Sequence, residues 1–393
     1  MALSGITINR GQGGLGRPLT SKDHVSGFIM PFVNADLPSG FTTTDRIKIV
    51  YSIAEAVALG ITQAGATTNL LWYHLNQFFK KQPQGKLYVH LIDSTAIAYD
   101  EIETLQNFAN GEIRQIGYYD HLTAFATANV TSLQASATIL ESEDKPLSVI
   151  YTADFQAVAT LGALPDLKAL SNKNISVCIG EDGASTGAAL ALSEAVSVTC
   201  IGALLGTVSS AQVHRNVGHI ALFNQVDGTE FDVPAIAIGT ATVLVKNQTT
   251  ASLTSLNDYG YIFLREYTGI DGSYYNDAPT CIASTSDYST IENNRTIDKA
   301  VRNVRALLLP FVNSPLYVNT DGTLTEDVIS NYKNTVDQAL EQMERDGELS
   351  AFTTIINPAQ DVLTTSKISV AIKLVPVGVA REIEVNIGFA VSI

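Results

Sequence analysis

The chain has 393 residues, enough for two or three domains, and its 46% hydrophobic content supports a large core and argues against disorder. Only 16% of residues are charged, against roughly 25% in an average soluble domain, so much of the surface is neutral or covered by neighbours, which favours an oligomer. The formal net charge of -15 argues against a nucleic-acid groove, which needs clustered Lys and Arg to displace counterions.

The first 20 residues are glycine-rich, lack apolar periodicity, and read as an extended arm with no secretory n-region or h-region. An apolar stretch at Phe28 to Val33, a strand at Arg46 to Tyr51 and an aromatic-rich helix through Leu70, Leu71, Trp72, Leu75, Phe78 and Phe79 follow. Lys80, Lys81 and Pro83 end that helix. From Lys86 to about Asn224 the pattern alternates. Strands are predicted at Leu87 to Ile92, Ile113 to Tyr118, Leu147 to Tyr151, Ile175 to Ile179 and His219 to Phe223. Between them, helices are predicted at Asp100 to Asn110, near Ala128 to Leu140, near Leu164 to Leu170, and along the apolar run Gly187 to Gly206. Strands alternating with helices imply an α/β layer with a largely parallel sheet.

The run from Gly187 to Gly206 has the length of a membrane span, and Gly202 and Gly206 have the spacing of small residues in packed membrane helices. Glu194, Ser193, Ser197 and Thr199 within it, and the absence of flanking basic clusters, instead predict a buried helix of a soluble domain.

Beyond Asp227 come strand-like segments at Ala235 to Val245 and Gly260 to Glu266, then a loop rich in Gly, Asp, Asn and Tyr over Tyr267 to Asp277. Ile297, Val301, Val304 and Leu308 make one face of a helix that carries Arg295, Lys299 and Arg302 on another. A second helix opens with Thr323 and Glu326 in capping-box spacing, buries Val328, Ile329, Tyr332, Val336, Leu340 and Met343, and stops at Gly347. Last, Ile368, Val370, Ile372 and Leu374, then Ile383, Val385, Ile387, Phe389, Val391 and Ile393, alternate with period two and predict two half-buried strands. A chain ending in an uncapped strand presents free N–H and C=O groups that template pairing with another chain.

Several motifs look chemical. Gly11, Gly13 and Gly16 match the dinucleotide fingerprint, but Arg17 and Pro18 follow where a helix should open to receive a pyrophosphate, so the segment reads as an arm. Gly183-Ala-Ser185-Thr-Gly187 matches the nucleophile elbow and lies between a strand and a helix. The only later histidines are His214 and His219, and the only acid before them is Glu194 on the same helix, so Ser185 reads as a helix N-cap. No convergent metal-ligand set is evident. Asp227-Gly, Asp271-Gly and Asp321-Gly read as turns, and the sequons at Asn129, Asn174 and Asn247 carry little weight without secretion. Cys178, Cys200 and Cys281, odd in number and widely spaced, suggest a reducing compartment.

The run Gly272-Ser-Tyr-Tyr-Asn-Asp277, then Asp287-Tyr288, Ile291-Glu292, the helix Arg295 to Arg302, the second capped helix and the terminal strands occur in the order of a known family. Over roughly residues 255 to 393 the chain resembles the tail-sheath proteins of contractile phages and related contractile injection systems, in particular the short sheath group. The resemblance implies an α/β fold, an alternating strand-helix layer plus a C-terminal α+β sheath-type domain with extended N- and C-terminal strand arms. It divides the chain into an arm (1–20), part of an inner domain (21–84), an α/β domain (85–249), the C-terminal inner domain (250–380) and a strand arm (381–393). The implied function is mechanical, with no cofactor: a helical homopolymer of stacked rings around an inner tail tube protein, bounded by baseplate and tail terminator proteins, contracts to drive the tube through a membrane. It implies neither nucleic acid nor membrane insertion of the subunit, and a location in a virion tail assembled in the bacterial cytoplasm, or in a bacterial injection system. Interface residues implied are Ile6, Thr7, Ile8 and Asn9 in one arm and Ile383, Val385, Ile387, Phe389 and Val391 in the other. Arg295, Lys299 and Arg302 read either as a solvated helix face or as an ionic contact to the tube or to an acidic neighbour, such as the helix bearing Asp337, Glu341 and Glu344. The alternative is an α/β hydrolase with its nucleophile at Ser185.

Overall fold

The computed structural model of the chain describes residues 22–389, so the fingerprint glycines and the arm expected over residues 1–20 lie outside the described residues. The chain forms two units, the first ending at Asp298 and the second beginning at Lys299.

The first unit opens with β1 (Ser26–Phe32), β2 (Ile47–Val50), helices α1 (Ile53–Ala58) and α2 (Ala66–Lys81), and β3 (Leu87–Asp93). It continues through α3 (Glu101–Phe108), β4 (Gln115–Ala124), α4 (Thr127–Ser142), β5 (Ser148–Asp154), β6 (Ser171–Asn172), β7 (Ile175–Cys178) and β8 (Gly180–Asp182). Helices α5 (Thr186–Glu194) and α6 (Ile201–Ser210) precede β9 (Pro234–Ile236), β10 (Val243–Leu244), α7 (Thr250–Asp258), β11 (Tyr261–Ile262), β12 (Leu264–Tyr267), β13 (Ile270–Tyr275) and β14 (Cys281–Ile282).

Seven strands make one sheet in the order β11-β7-β5-β4-β1-β3-β2, parallel throughout except for β2 against β3. Counting parallel strands along the chain, β3-β1-β4-β5-β7 follows the doubly wound order 2-1-3-4-5. Both faces are covered, which is why β1 reads as an unbroken apolar run rather than an alternation. Phe28, Met30, Phe32, Tyr119, Ile150 and Cys178 pack on one face with residues of α2 and α6. Ile29, Ile116, Tyr118, Val149, Tyr151 and Val177 pack on the other with residues of α3 and α4. Strands β1 and β2 come from the expected segment 21–84, β3, β4, β5 and β7 from 85–249 and β11 from 250–380, so all three segments contribute to this single sheet.

Gly202 and Gly206, spaced like membrane-helix contacts, serve a close packing of two helices. A Cβ on Gly202 would stand 2.3 Å from the His74 carbonyl oxygen, and one on Gly206 2.7 Å from that of Phe78, so both glycines let α6 approach the backbone of α2. No helix among the described residues is long and apolar enough to cross a membrane.

Four expected elements differ in the first unit. The single apolar helix is broken into α5 and α6 at Ala195, which is left-handed (φ 52), and Ser197 gives its N–H and hydroxyl to Asp154. Leu164 to Leu170 forms no α-helix, because Pro165 holds Leu164 extended, and only short 3-10 turns flank it. His219 to Phe223 is a turn in which His219 accepts from the amides of Leu222 and Phe223. Within the expected loop Tyr267 to Asp277, β13 pairs antiparallel with β12. Glycine suggested a loop there, yet Gly269 (φ 86) serves the hairpin turn and Gly272 (φ 111) sits in the strand against Asn224.

Helix α8 (Ile291–Leu308) begins in the first unit and ends in the second, which adds α9 (Glu326–Arg345), β15 (Leu349–Ile356), α10 (Val362–Thr365) and β16 (Val370–Pro376). Its core joins Ala300 to Val336, Leu340 and Met343 of α9 and Leu349 of β15. Thr325, not Thr323, caps α9 through the amide of Val328, while Thr323 is held in a turn by Asp321. Gly347 (φ 71) lies just past its end.

Candidate functional site

In the second unit, β15 and β16 form an antiparallel pair running from Leu349↔Pro376 to Ile356↔Val370. Val370, Ile372 and Leu374 of β16 are partly buried against the core that includes α9, and Ala371, Lys373 and Val375 alternate with them on the exposed side. Among the described residues this sheet has two strands, so each strand has one edge with no strand beside it. Sequence reasoning missed β15. Its period-two signal at Phe352, Thr354 and Ile356 is broken by a register shift between Leu349 and Ala351.

Residues 377–389 follow β16 and carry neither helix nor paired strand. Of the half-buried strand expected over 381–393, the described residues 381–389 pair with no other described strand. Ile383 is 79% exposed, Val385 68%, Ile387 92% and Phe389 fully exposed, with Glu382, Glu384, Asn386 and Gly388 between them. Apolar residues at every second position, uncovered in their own subunit, present a strand without its sheet. Val391, and Ile6, Thr7, Ile8 and Asn9 of the other arm, lie outside the described residues.

The basic residues proposed for a tube contact sit elsewhere. Arg295 is 3% exposed and donates to the Ala211 carbonyl. Lys299 donates to Glu348 at 2.7 Å, and the Glu348 side chain is 5% exposed. Arg302 is half-buried. Their i, i+4, i+7 spacing signalled one helix face correctly, but for Arg295 and Lys299 that face turns into the protein rather than toward a partner.

Ser185 stands at the start of α5, where a nucleophile elbow would place it, but the terminus is occupied by carboxylates. Asp182 accepts from the amides of Ser185 (2.6 Å) and Ala188 (3.2 Å), and Glu230 from those of Thr186 (3.2 Å) and Gly187 (3.1 Å). Tyr73 donates to Glu230 at 2.5 Å. The expected capping by the Ser185 side chain is thus replaced by Asp182 and Glu230, while its hydroxyl meets that of Thr229 at 2.9 Å. Burial pushes the Asp182 carboxyl up, and burial together with Asp182 raises Glu181 to about 8. Positive helix-end potential spent on buried acids leaves nothing to stabilise an oxyanion or bind a phosphate. Among the described residues, no group of three or more His, Cys, Asp or Glu side chains converges to hold a metal ion.

Two family models cover nearly the whole chain: DUF2586, N-terminal domain, over residues 3–279, and DUF2586, C-terminal domain, over residues 287–393. No curated protein sequence matches. The fold recurs in the helical sheath of the anti-feeding prophage in its contracted state, with TM-score 0.63, 13% identity, and 99% of both chains covered. It recurs in the PVC sheath complex of an extracellular contractile injection system, also contracted, with TM-score 0.62, 13% identity, and 100% of this chain and 98% of that one covered. The sheath tail protein of Desulfitobacterium hafniense aligns with TM-score 0.54 and 10% identity over 95% of this chain and all of its own. At these identities the likeness is one of fold, and the fold is that of contractile sheath proteins.

Proposed function

This chain belongs to the DUF2586 family, and we propose that it is the repeating subunit of a contractile sheath, joined to its neighbours by strand exchange. The observation that carries this reading is the C-terminal arm: Ile383, Val385, Ile387 and Phe389 alternate and lie exposed, following a sheet that among the described residues has two strands and two open edges. A strand added to such an edge gains main-chain hydrogen bonds for affinity and alternate side-chain pockets for register. The sheath fold at full length supports the same conclusion.

In this reading the partners are further copies of the chain, an inner tube, and baseplate and terminator proteins at the ends. The assembly belongs to a phage tail built in the bacterial cytoplasm or to a bacterial injection device. The work of contraction is stored during assembly as a difference between two subunit packings, which need differ by only a few kcal/mol per subunit. Shortening therefore consumes no nucleotide.

Electron microscopy of the purified chain tests the proposal. Full-length protein forms long hollow cylinders, and protein lacking residues 381–393 stays soluble without forming them. Normal cylinders from the truncated chain overturn strand exchange. Discrete particles with an esterase activity abolished by Ser185→Ala would restore the hydrolase alternative.

A further inference from the structure

Two of the three cysteines, 22 positions apart in sequence, meet in the core of the first unit. The Sγ atoms of Cys178 and Cys200 are 3.5 Å apart, and both residues are buried. Cys178 ends β7, where it pairs with Ile262 of β11, and Cys200 immediately precedes α6. Their backbones are tied together independently of the sulfurs: the Cys200 amide donates to the Gly180 carbonyl at 2.7 Å, and Thr199 bridges Glu181. Gly180 makes the space, since a Cβ there would stand 3.0 Å from the Cys200 sulfur. Cys281 is also buried but belongs to the core on the opposite face of the sheet, so it does not compete for either partner.

We propose that Cys178 and Cys200 are a redox modification site: a dithiol that a peroxide oxidises to an intramolecular disulfide, stapling the central sheet to the start of α6. One thiol loses its proton and attacks the peroxide oxygen, giving a sulfenic acid and releasing one water (or alcohol). The second sulfur attacks the sulfenic sulfur, forms the S–S bond and releases a second water. Two thiols and one hydrogen peroxide thus yield one disulfide and two waters, with the sulfurs oxidised and the peroxide reduced. Closing the pair to a bond of about 2.05 Å requires small rotations of two side chains whose backbones are already in register. The covalent loop encloses α5 and the left-handed break at Ala195. Burial raises the Cys200 thiol, so oxidation is slow at neutral pH and accelerates in alkali, where the thiolate forms.

The test uses the full-length wild-type chain and hydrogen peroxide at mildly alkaline pH, followed by alkylation under denaturing conditions and peptide mapping. The expected result is a cross-linked Cys178–Cys200 peptide with Cys281 fully alkylated, at a rate independent of protein concentration. A reductant restores both thiols, and the oxidised protein melts several degrees higher than the reduced one. In chains denatured before peroxide is added, that pairing preference disappears. Alkylation of both Cys178 and Cys200 after exposure, sulfinic acid on either one without a cross-link, or pairing with Cys281 overturns the proposal. On the sheath reading, protomers assemble as dithiols in the cell and oxidise after release. The chemistry is read on the isolated chain, so a failure of the sheath reading leaves this test standing.

Discussion

Ile387→Ala separates a residue that serves the subunit from one that serves the assembly. In the subunit Ile387 is 92% exposed, so removing its side chain takes nothing out of the subunit's own packing. The protomer's melting temperature should stay unchanged, as for surface substitutions that shift stability by at most about 0.5 kcal/mol. On the strand-exchange reading the same side chain is buried in a neighbour's sheet. The substitution deletes three carbons, each worth about 0.8 kcal/mol on burial, or about 2 kcal/mol per arm. At 1.4 kcal/mol per tenfold, the concentration needed to form cylinders rises by about thirtyfold. Asn386→Ala, one position along and on the opposite face by the period of two, provides the control and leaves that concentration nearly unchanged. Sedimentation of cylinders across a dilution series, beside thermal melts of the dispersed protomer, reads both quantities. Assembly at the wild-type concentration, or a lowered protomer melting temperature, would refute the assignment of this arm.

The other expectations concern the subunit itself. Gly202→Ala should destabilise the first unit by about 1–3 kcal/mol in denaturant titrations, because its Cβ collides with the α2 backbone. Gly162→Ala, with nothing within 4 Å, should be near neutral. Lys299→Met should destabilise the protomer by removing the 2.7 Å ion pair with the buried Glu348, and a double-mutant cycle with Glu348→Gln should show that the two side chains are coupled in thermal melts. Three buried histidines should make stability depend on pH above the carboxylate range. Burial, followed for His74 by His121 and for His90 by Arg46, lowers His74 from 6.5 to about 3 and His90 to about 4, and burial alone lowers His121 to about 4. These groups stay neutral when folded and take up protons when unfolded, so their stabilisation is complete above pH 6.5 and is lost as the pH falls toward 4. Glu181, raised to about 8, and Asp120 and Asp182, whose carboxyls burial pushes up, act in the opposite sense. Each histidine contributes up to about 1.4 kcal/mol per pH unit to the loss between its unfolded and folded values. His74→Phe, placed among Phe28, Tyr73 and Tyr119, should remove one such contribution, about 1.4 kcal/mol per pH unit, in melts across pH.

The sheet was legible because buried parallel strands and their covering helices write their periods into the chain. Leu87–Asp93, Ser148–Asp154 and Ala66–Lys81 appear within a few residues of their expected ends. What escaped was set by single contacts between distant residues. The break between α5 and α6 depends on Asp154 reaching Ser197, 43 positions away. The carboxylates at the start of α5 include Glu230, 43 positions from Gly187. The Cys178–Cys200 contact depends on a backbone register that cysteine spacing does not encode. Arg295 and Lys299 show the limit of helical periodicity: it groups residues on a face but does not say whether water, a partner or the protein's own Ala211 and Glu348 lies opposite.

The C-terminal arm differs from these misses, because there sequence and subunit disagree without either being at fault. Residues 370–376 and 383–389 carry the same period of two, yet the first segment pairs with β15 and the second pairs with no strand among the described residues. A strand's pattern records the faces it will show, and a hydrophobic face is stable only against a surface that covers it. Four exposed apolar side chains at alternate positions would be a liability in a subunit that stayed alone. On the strand-exchange reading the missing surface lies in another molecule. That surface would have to supply an open strand edge with one apolar face, which β15 and β16 offer among the described residues.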